Sequence, residues 1–478
     1  MKTSWIMRGP VAAVVLMAVL SNCSINPATG QRQVSLIGEG REIQMGREAD
    51  PDIIASMGLY PDTEVQQYVS QLGKRLAAAS ERPHLPWTFR VVDHPAVNAF
   101  AVPGGFIYVT RGLLSHLTSE AQLVGVLGHV TARHSVNDMS KQQLAQIGLG
   151  LGMVFAPRLQ GLGELASAGL QVLFLKYSRD HENQADELGV RYMRRTNYEP
   201  REMADVMTML DRTSQRSPES GKVPEWLATH PSPPNRVANI LQLASTSEPT
   251  RVGSPDVRRD EYLQRVDQLI FGDDPREGYF EGTTFLHPDL RFRFEFPVGW
   301  TAVNQRTAVQ VESPDDDALI TIETVEGSPS DELRRFRSRQ NVRVGGVSQQ
   351  TSNGLAAVRA EFSLGTEQGV LRGLVAFVAH ENVTFRLMGL TIGSRWRGYG
   401  SVVTRSLGSF GPLTDSVALS VQPQRIAIVR PPTEMTLSAF VVQYPSSVTR
   451  EMVALINQVE GDEPFRGGTP YKRVVGGR

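Results

Sequence analysis

The sequence holds one cysteine in 478 residues. That excludes an internal disulfide and any Cys-rich zinc or iron–sulfur site. Histidine is sparse as well, at 9 residues, so a metal site has to draw on His, Asp and Glu together. Neither charge is in excess: 49 Lys and Arg stand against 50 Asp and Glu, for a net −1. A protein that coats nucleic acid needs a basic surface, and this balance supplies none. Long apolar runs are also missing. Val11–Leu20 is an uninterrupted run of ten residues, too short to cross a bilayer core of about 30 Å. Residues 146–175 are apolar and rich in Gly and Ala, but Arg158, Gln160 and Glu164 interrupt them. That pattern predicts a buried helical pair instead of a membrane span. No repeat of long period is present. What is there is ordinary: 40% hydrophobic and 21% charged residues can bury normal cores, and the length suggests about three domains.

The lone cysteine sits at a telling place. Lys2 and Arg8 give a positive start, the apolar run follows, and Cys23 comes directly after it. That order predicts a cleaved signal peptide over residues 1–22. Leu20-Ser21-Asn22-Cys23 resembles the lipobox of bacterial lipoproteins. The resemblance implies acylation of Cys23, and two or more acyl chains anchor a protein stably. Ser24 is not the Asp typical of inner-membrane retention, so the resemblance implies the periplasmic side of the outer membrane in a Gram-negative bacterium.

Periodicity predicts helices at 40–58 and 62–80, the second with Val65, Val69, Leu72 and Leu76 on one face after Asp62 as N-cap. Strands are expected at Trp87–Val91 and Phe106–Val109. Ser119-Glu120-Ala121-Gln122 reads as a capping box opening a helix that runs past His134. Further helices are expected at 177–195, 200–212, from Ser232-Pro233, and at 260–270, with a linker around 246–258. Beyond residue 280 the period changes to two: Leu290, Phe292, Phe294 and Phe296 alternate with Arg291, Arg293 and Glu295. Strands at 318–325, 356–364, 370–379 and 383–391, with helices at 330–338 and 396–409, predict an α+β domain over 280–412. Its Phe296–Trp300 run faintly resembles PsbP-type domains. Residues 422–476 read as a strand, two helices and a strand. That βααβ order resembles a LysM module, which implies binding to glycan such as peptidoglycan; a structural cap is the other reading.

Four segments carry chemistry. They are Asn98–Gly105, Gly125–His134, Ser178–Asp186, and Thr229-His230-Pro231 with Arg236. In this order they resemble the HtpX/BepA-type zinc metallopeptidases, the family that includes the CAAX prenyl proteases. The match covers roughly residues 24–245. The resemblance implies a mainly helical zincin-like domain with a small sheet over 23–260, and an α+β multidomain protein as a whole. It also implies one zinc ion as cofactor. Such a domain works through an H-E-x-x-H helix, whose histidines four apart share one face and bind zinc while the Glu activates water. By family position His129 is the second histidine ligand, Glu182 the distant ligand, Asp186 a carboxylate one turn beyond it, and His230 a loop histidine near the metal. Gly104, Gly105, Phe106 and Ile107 take the place of the family's edge strand, which pairs with extended peptide.

The first histidine and the general-base Glu are absent. Gly125 stands four residues before His129 and Val126 three before it. His134 cannot stand in, because five helical residues turn about 500° and point it roughly 140° away. The pairs His181-Glu182 and His380-Glu381 have Ala185 and Thr384 where a second histidine is needed. Loss of four helical residues is about 400° of rotation and about 6 Å of rise, so the register shifts by only about 40°. The helix and the fold are therefore expected to persist while the zinc site is broken.

Three functional readings follow. One is a membrane-anchored envelope metalloendopeptidase whose proteolysis is lost or crippled. The second is a non-catalytic, chaperone-like binder of extended or misfolded envelope polypeptides. The third is a lipoprotein that tethers the membrane to peptidoglycan. His129 and His230 also fit a metal-free core histidine and a turn residue, and Glu182 with Asp186 also fits a solvated helix face.

Overall fold

The computed structural model describes residues 23–25, 32–34, 38–135, 179–215, 235–246, 254–366, 369–461 and 463–477. The leader at 1–22 falls outside the described residues, as do 146–175, His230 and Ser232-Pro233. Strand β1 (Cys23–Ile25) pairs with β2 (Arg32–Val34). Among the described residues no helix is long and apolar enough to cross a membrane.

Helix α1 (Glu39–Met57) precedes α2 (Thr63–Ala78). Asp62 caps α2 by accepting from the N–H groups of Glu64 and Val65 at 2.9 and 3.1 Å. The buried stripe of α2 includes Val65, Val69, Leu72 and Leu76. Gly73 lets that stripe close on the first sheet, since a Cβ there would stand 2.3 Å from the Phe89 ring. The sheet has three strands, β3 (Thr88–Val92), β4 (Ala99–Val102) and β5 (Phe106–Thr110), in the order β3-β5-β4. β5 runs parallel to β3 and antiparallel to β4.

The Thr110 hydroxyl caps the short helix α3 (Arg111–His116) through the Leu113 N–H at 3.2 Å. Helix α4 (Glu120–Ser135) follows. Ser119 Oγ accepts from the Gln122 N–H at 3.1 Å, and Gln122 Oε1 accepts from the Thr118 N–H at 2.7 Å. Leu123, Val126, Leu127 and Val130 on this helix are all buried. The helix is a regular element through Gly125 and His129. Helices α5 (Arg179–Arg195), α6 (Glu202–Gln215) and α7 (Arg236–Ser245) pack around it.

The chain then takes a route that the sequence does not announce. Helix α8 (Arg259–Arg265) leads to the two-residue strand β6 (Ile270–Phe271). A second domain follows. β7 (Tyr279–Glu281), β8 (Thr284–His287) and β9 (Phe292–Glu295) make a sheet with β17 (Gly411–Pro412), in the order β17-β9-β8-β7. The larger sheet contains β10 (Thr301–Gln305), β11 (Ala308–Glu312), β12 (Ala318–Val325), β13 (Val342–Ser352), β14 (Leu355–Thr366), β15 (Gly369–His380) and β16 (Val383–Ile392). Its order is β10-β11-β12-β16-β15-β14-β13 and every pairing is antiparallel. The expected alternation holds on β9, where Phe292 and Phe294 are buried and Arg293 and Glu295 exposed. Helix α9 (Pro329–Arg337) covers one face of the large sheet and α10 (Trp396–Gly408) the other.

After the short helix α11 (Ser416–Leu419), the βααβ order of the C-terminal unit is present as β18 (Gln424–Val429), α12 (Leu437–Gln443), α13 (Arg450–Asn457) and β19 (Tyr471–Gly476). The unit is not separate from the first domain. β18 lies between β19 and β6, and Ile426, Ile456 and Val474 share one core with Leu123, Val126, Tyr262 and Ile270. The sheet domain is therefore inserted between β6 and β18, inside a single unit that the sequence reading divides at 260 and 422. The second half of the expected linker is docked too. Asp256 N–H donates to Asn197 O at 2.8 Å, and Ala121 N–H donates to Val257 O at 3.1 Å.

The junction is polar as well as apolar. Lys472 is fully buried and its ammonium donates to the carbonyls of Ser115 and Leu117, each at 2.7 Å. Those carbonyls end helix α3, where backbone oxygens lack helical partners and favour a cation. Gln122 and Gln458 exchange two side-chain hydrogen bonds at 2.8 and 2.9 Å. Gln122 is also the residue that caps α4. The C-terminal unit therefore bears directly on the start of the helix that carries His129.

Candidate functional site

Helices α4 and α5 meet at glycines. A Cβ on Gly128 would be 3.4 Å from the Gly189 carbonyl oxygen, and one on Gly189 would be 3.2 Å from the His129 nitrogen. This close approach points His129 at the face of α5 that carries Glu182 and Asp186, which are four residues apart and so one above the other. All three side chains are buried: relative exposures are 0% for His129 and Glu182 and 2% for Asp186. The solvated-face reading of Glu182 and Asp186 is thereby corrected, because α4 and α7 cover them.

His129 Nδ1 lies 2.8 Å from Asp186 Oδ1. Burial alone would raise the Asp186 carboxyl, but the Arg236 guanidinium and its hydrogen bonds to His129 and Arg236 outweigh this and hold it below the usual carboxylate range. An ionised carboxylate can only accept, so the imidazole donates at Nδ1. Nε2 faces Glu182 Oε2 at 3.4 Å.

Two arginines complete the site, and neither was assigned a role from the sequence. Arg236, at the start of α7, is 2% exposed. It forks onto Asp186, with Nε to Oδ2 at 2.6 Å and Nη2 to Oδ1 at 2.8 Å. Its Nη1 stands 3.0 Å from Glu182 Oε2. Nη2 is also 3.2 and 3.3 Å from the two ring nitrogens of His129. A nitrogen equally close to both lies against the ring and not along one lone pair. Arg133, one turn beyond His129, brings Nη2 to 3.4 Å from Glu182 Oε1. Burial pulls the Arg236 guanidinium down, but Asp186 and Glu182 outweigh it and keep the group charged. Two carboxylates thus face two guanidinium groups around the imidazole.

This arrangement does not fit zinc. Zinc bonds to His nitrogen and carboxylate oxygen at about 2 Å and takes at least three protein ligands in catalytic sites. His129 Nε2 and Glu182 Oε2 are spaced as two such ligands would be, yet a guanidinium nitrogen already stands 3.0 Å from the oxygen and another 3.3 Å from the ring nitrogen. Asp186 serves the opposite ring nitrogen. Among the described residues no group of three His, Cys, Asp or Glu side chains is placed to hold a metal. His230 lies outside the described residues.

The strand assigned to substrate also needs correction. Phe106 and Ile107 begin β5, and β5 is the middle strand, with both backbone edges taken by β3 and β4. Gly104 and Gly105 form the hairpin turn before it, at φ of +82° and +90°, where L side chains are strained. Gly104 also packs on α1, since a Cβ there would be 2.5 Å from the Ile43 Cα. The sheet edge belongs instead to β4. The β3 edge is closed by Gln66, whose side chain bonds both the N–H and the C=O of Val91 at 2.9 and 2.7 Å. Cys23 pairs with Val34 in the β1–β2 ladder.

Comparison with known proteins gives one family model, peptidase family M48, over residues 63–244. The beta-barrel assembly-enhancing protease of Escherichia coli (strain K12) is 29% identical over 256 residues, covering 51% of this chain and 51% of that protein. The mitochondrial metalloendopeptidase OMA1 of Schizosaccharomyces pombe is 30% identical over 223 residues, covering 45% and 64%. The chain thus spans about half the length of the beta-barrel assembly-enhancing protease it matches. Among solved structures, cyanobacterial PsbP (CyanoP) from Synechocystis sp. PCC 6803 is 13% identical, with a TM-score of 0.24, covering 28% of this chain and 94% of that one. A score that low adds nothing to the fold description.

Proposed function

We propose that this chain, which carries a peptidase family M48 domain over residues 63–244, is an envelope lipoprotein that engages extended polypeptides without zinc-dependent hydrolysis. M48 peptidases are zinc enzymes, and the relatives are named as proteases. The observation that carries the proposal is the Arg236 guanidinium against Asp186, Glu182 and His129, in a chain without the first histidine and the general-base Glu. Removing a general base alone costs a factor of about 10²–10⁴, and here the cation-binding donors are engaged as well. The polypeptide half of the proposal rests on the family's substrates and on β4, the outer strand of its sheet among the described residues, the place where β-augmentation would occur. The anchor half rests on Cys23.

The test is unfolded casein incubated with purified protein and zinc, followed for binding and for cleavage. Binding without cleavage is the expected result. Chelator-sensitive cleavage contradicts the proposal, and absence of binding removes its polypeptide half. A Cys23→Ser variant is expected to move from the membrane fraction to the soluble fraction; retention in the membrane refutes the anchor.

A further inference from the structure

The large sheet of the inserted domain has two buried faces of different character. One face carries Val309, Val311, Ile320, Ile322, Phe385 and Leu387 against the small sheet and α10. On the other, Leu319, Phe362, Val375, Phe377, Met388 and Leu390 lie with Leu333 and Phe336 of α9. On β11, β12 and β16 this second face turns polar. Gln310 stands opposite Thr321, and Glu323 stands opposite Arg386 on one side and Ala308 on the other.

These side chains are enclosed. Gln310 is 2% exposed, Thr321 1%, and Glu323 9%. Glu323 is ion-paired with Arg386 through Oε2, and Arg339 is a second cation near it. Three oxygens nonetheless have no hydrogen-bond partner among the described residues: Gln310 Oε1, Thr321 Oγ1 and Glu323 Oε1. Buried polar atoms are almost always satisfied. Residues directly opposite on antiparallel strands place their Cβ atoms about 5 Å apart, and residues two along a strand share the same face. The three oxygens therefore lie on one face within the span of one small occupant, with the small Ala308 side chain opposite Glu323.

We propose that this patch is a binding site for a small neutral hydrogen-bond donor, either water or the hydroxyls of a small polyol. The chemistry follows from the inventory. Gln Oε1 and a carboxylate oxygen only accept, and a Thr hydroxyl accepts or donates. Arg386 and Arg339 already meet the charge of Glu323, so the occupant needs O–H donors and no positive charge. Apolar residues would fill the same positions without cost if nothing bound there, as they do elsewhere on this face.

The test uses the full chain and the isosteric Thr321→Val variant. If an occupant bonds Oγ1, losing that bond lowers the melting temperature by about 3 °C or more. An unchanged or raised melting temperature overturns the proposal, because replacing a truly orphaned hydroxyl with a methyl is neutral or favourable. A crystal structure of the wild-type chain supplies the second readout, collected with and without glycerol. Density within hydrogen-bond distance of all three oxygens in both crystals identifies water, and density that grows only in glycerol identifies a polyol. Continuous protein density bonded to the three oxygens also overturns the proposal.

Discussion

The molecule buries charge in two neighbouring places and handles it differently. Around His129, every charge is met by another side chain: Arg236 and Arg133 against Asp186 and Glu182. At the C-terminal junction, Lys472 is a single cation held by two backbone carbonyls at the end of α3. Burial, with Arg259 nearby, pulls its ammonium well below the usual lysine range. Among the described residues the first place meets its charges with side chains from three helices. The second depends on a helix terminus in another part of the chain, so it fastens two segments together. A cluster of compensated charges loses most when one member is removed, because the rest stay buried and unpaired.

The largest predicted effect follows from that difference. Arg236→Met leaves Glu182 and Asp186 with Arg133 as their remaining cation, and costs about 3–5 kcal/mol in urea unfolding. Adding Asp186→Asn to that variant restores part of the loss. No recovery in the double variant would break the idea of mutual compensation. Lys472→Met leaves the Ser115 and Leu117 carbonyls without a donor and costs about 1–3 kcal/mol. An equal or larger loss than Arg236→Met would erase the contrast between the two places.

Acid separates the regions further. Burial pushes His116, at the junction, down to about 4, and does the same to His287 in the inserted domain. Between the unfolded value near 6.5 and about 4, the unfolded chain binds more protons than the folded one. Stability is therefore complete above about pH 6.5 and falls as the pH drops toward 4. His116→Gln is expected to lessen that fall for the first domain, where burial pushes His94 down to about 4 as well, and to leave the inserted domain's transition unchanged. A fall equally steep in the variant contradicts it. The smallest effect belongs to Gln458→Ala, about 1 kcal/mol, for the lost exchange with Gln122; an unchanged unfolding curve would show that this contact contributes nothing.

Much of this is legible in the sequence because it is local. The Asp62 cap, the Ser119 cap, the alternation at Phe292 and Phe294, and the helix opened at Ser119 each depend on residues within a few positions. So does the shared face of Glu182 and Asp186. What escapes depends on distant pairing. Arg236 lies 107 positions from His129 and 50 from Asp186, and nothing in its local pattern states that it turns inward. The β3-β5-β4 order hides because a parallel pairing between β3 and β5 displaces the hairpin partner β4 to the edge. The union of the C-terminal unit with the first domain hides because β6 is two residues long and the Lys472 and Gln122–Gln458 contacts join residues more than 300 positions apart.

The central claim is that the site around His129 is completed by Arg236 and takes no zinc. Its most direct test is the zinc content of the chain after purification in zinc-containing buffer, with thermal unfolding in zinc and in chelator. The account predicts no retained zinc and the same melting temperature in both. Stoichiometric zinc, or a melting temperature that falls in chelator, would contradict it.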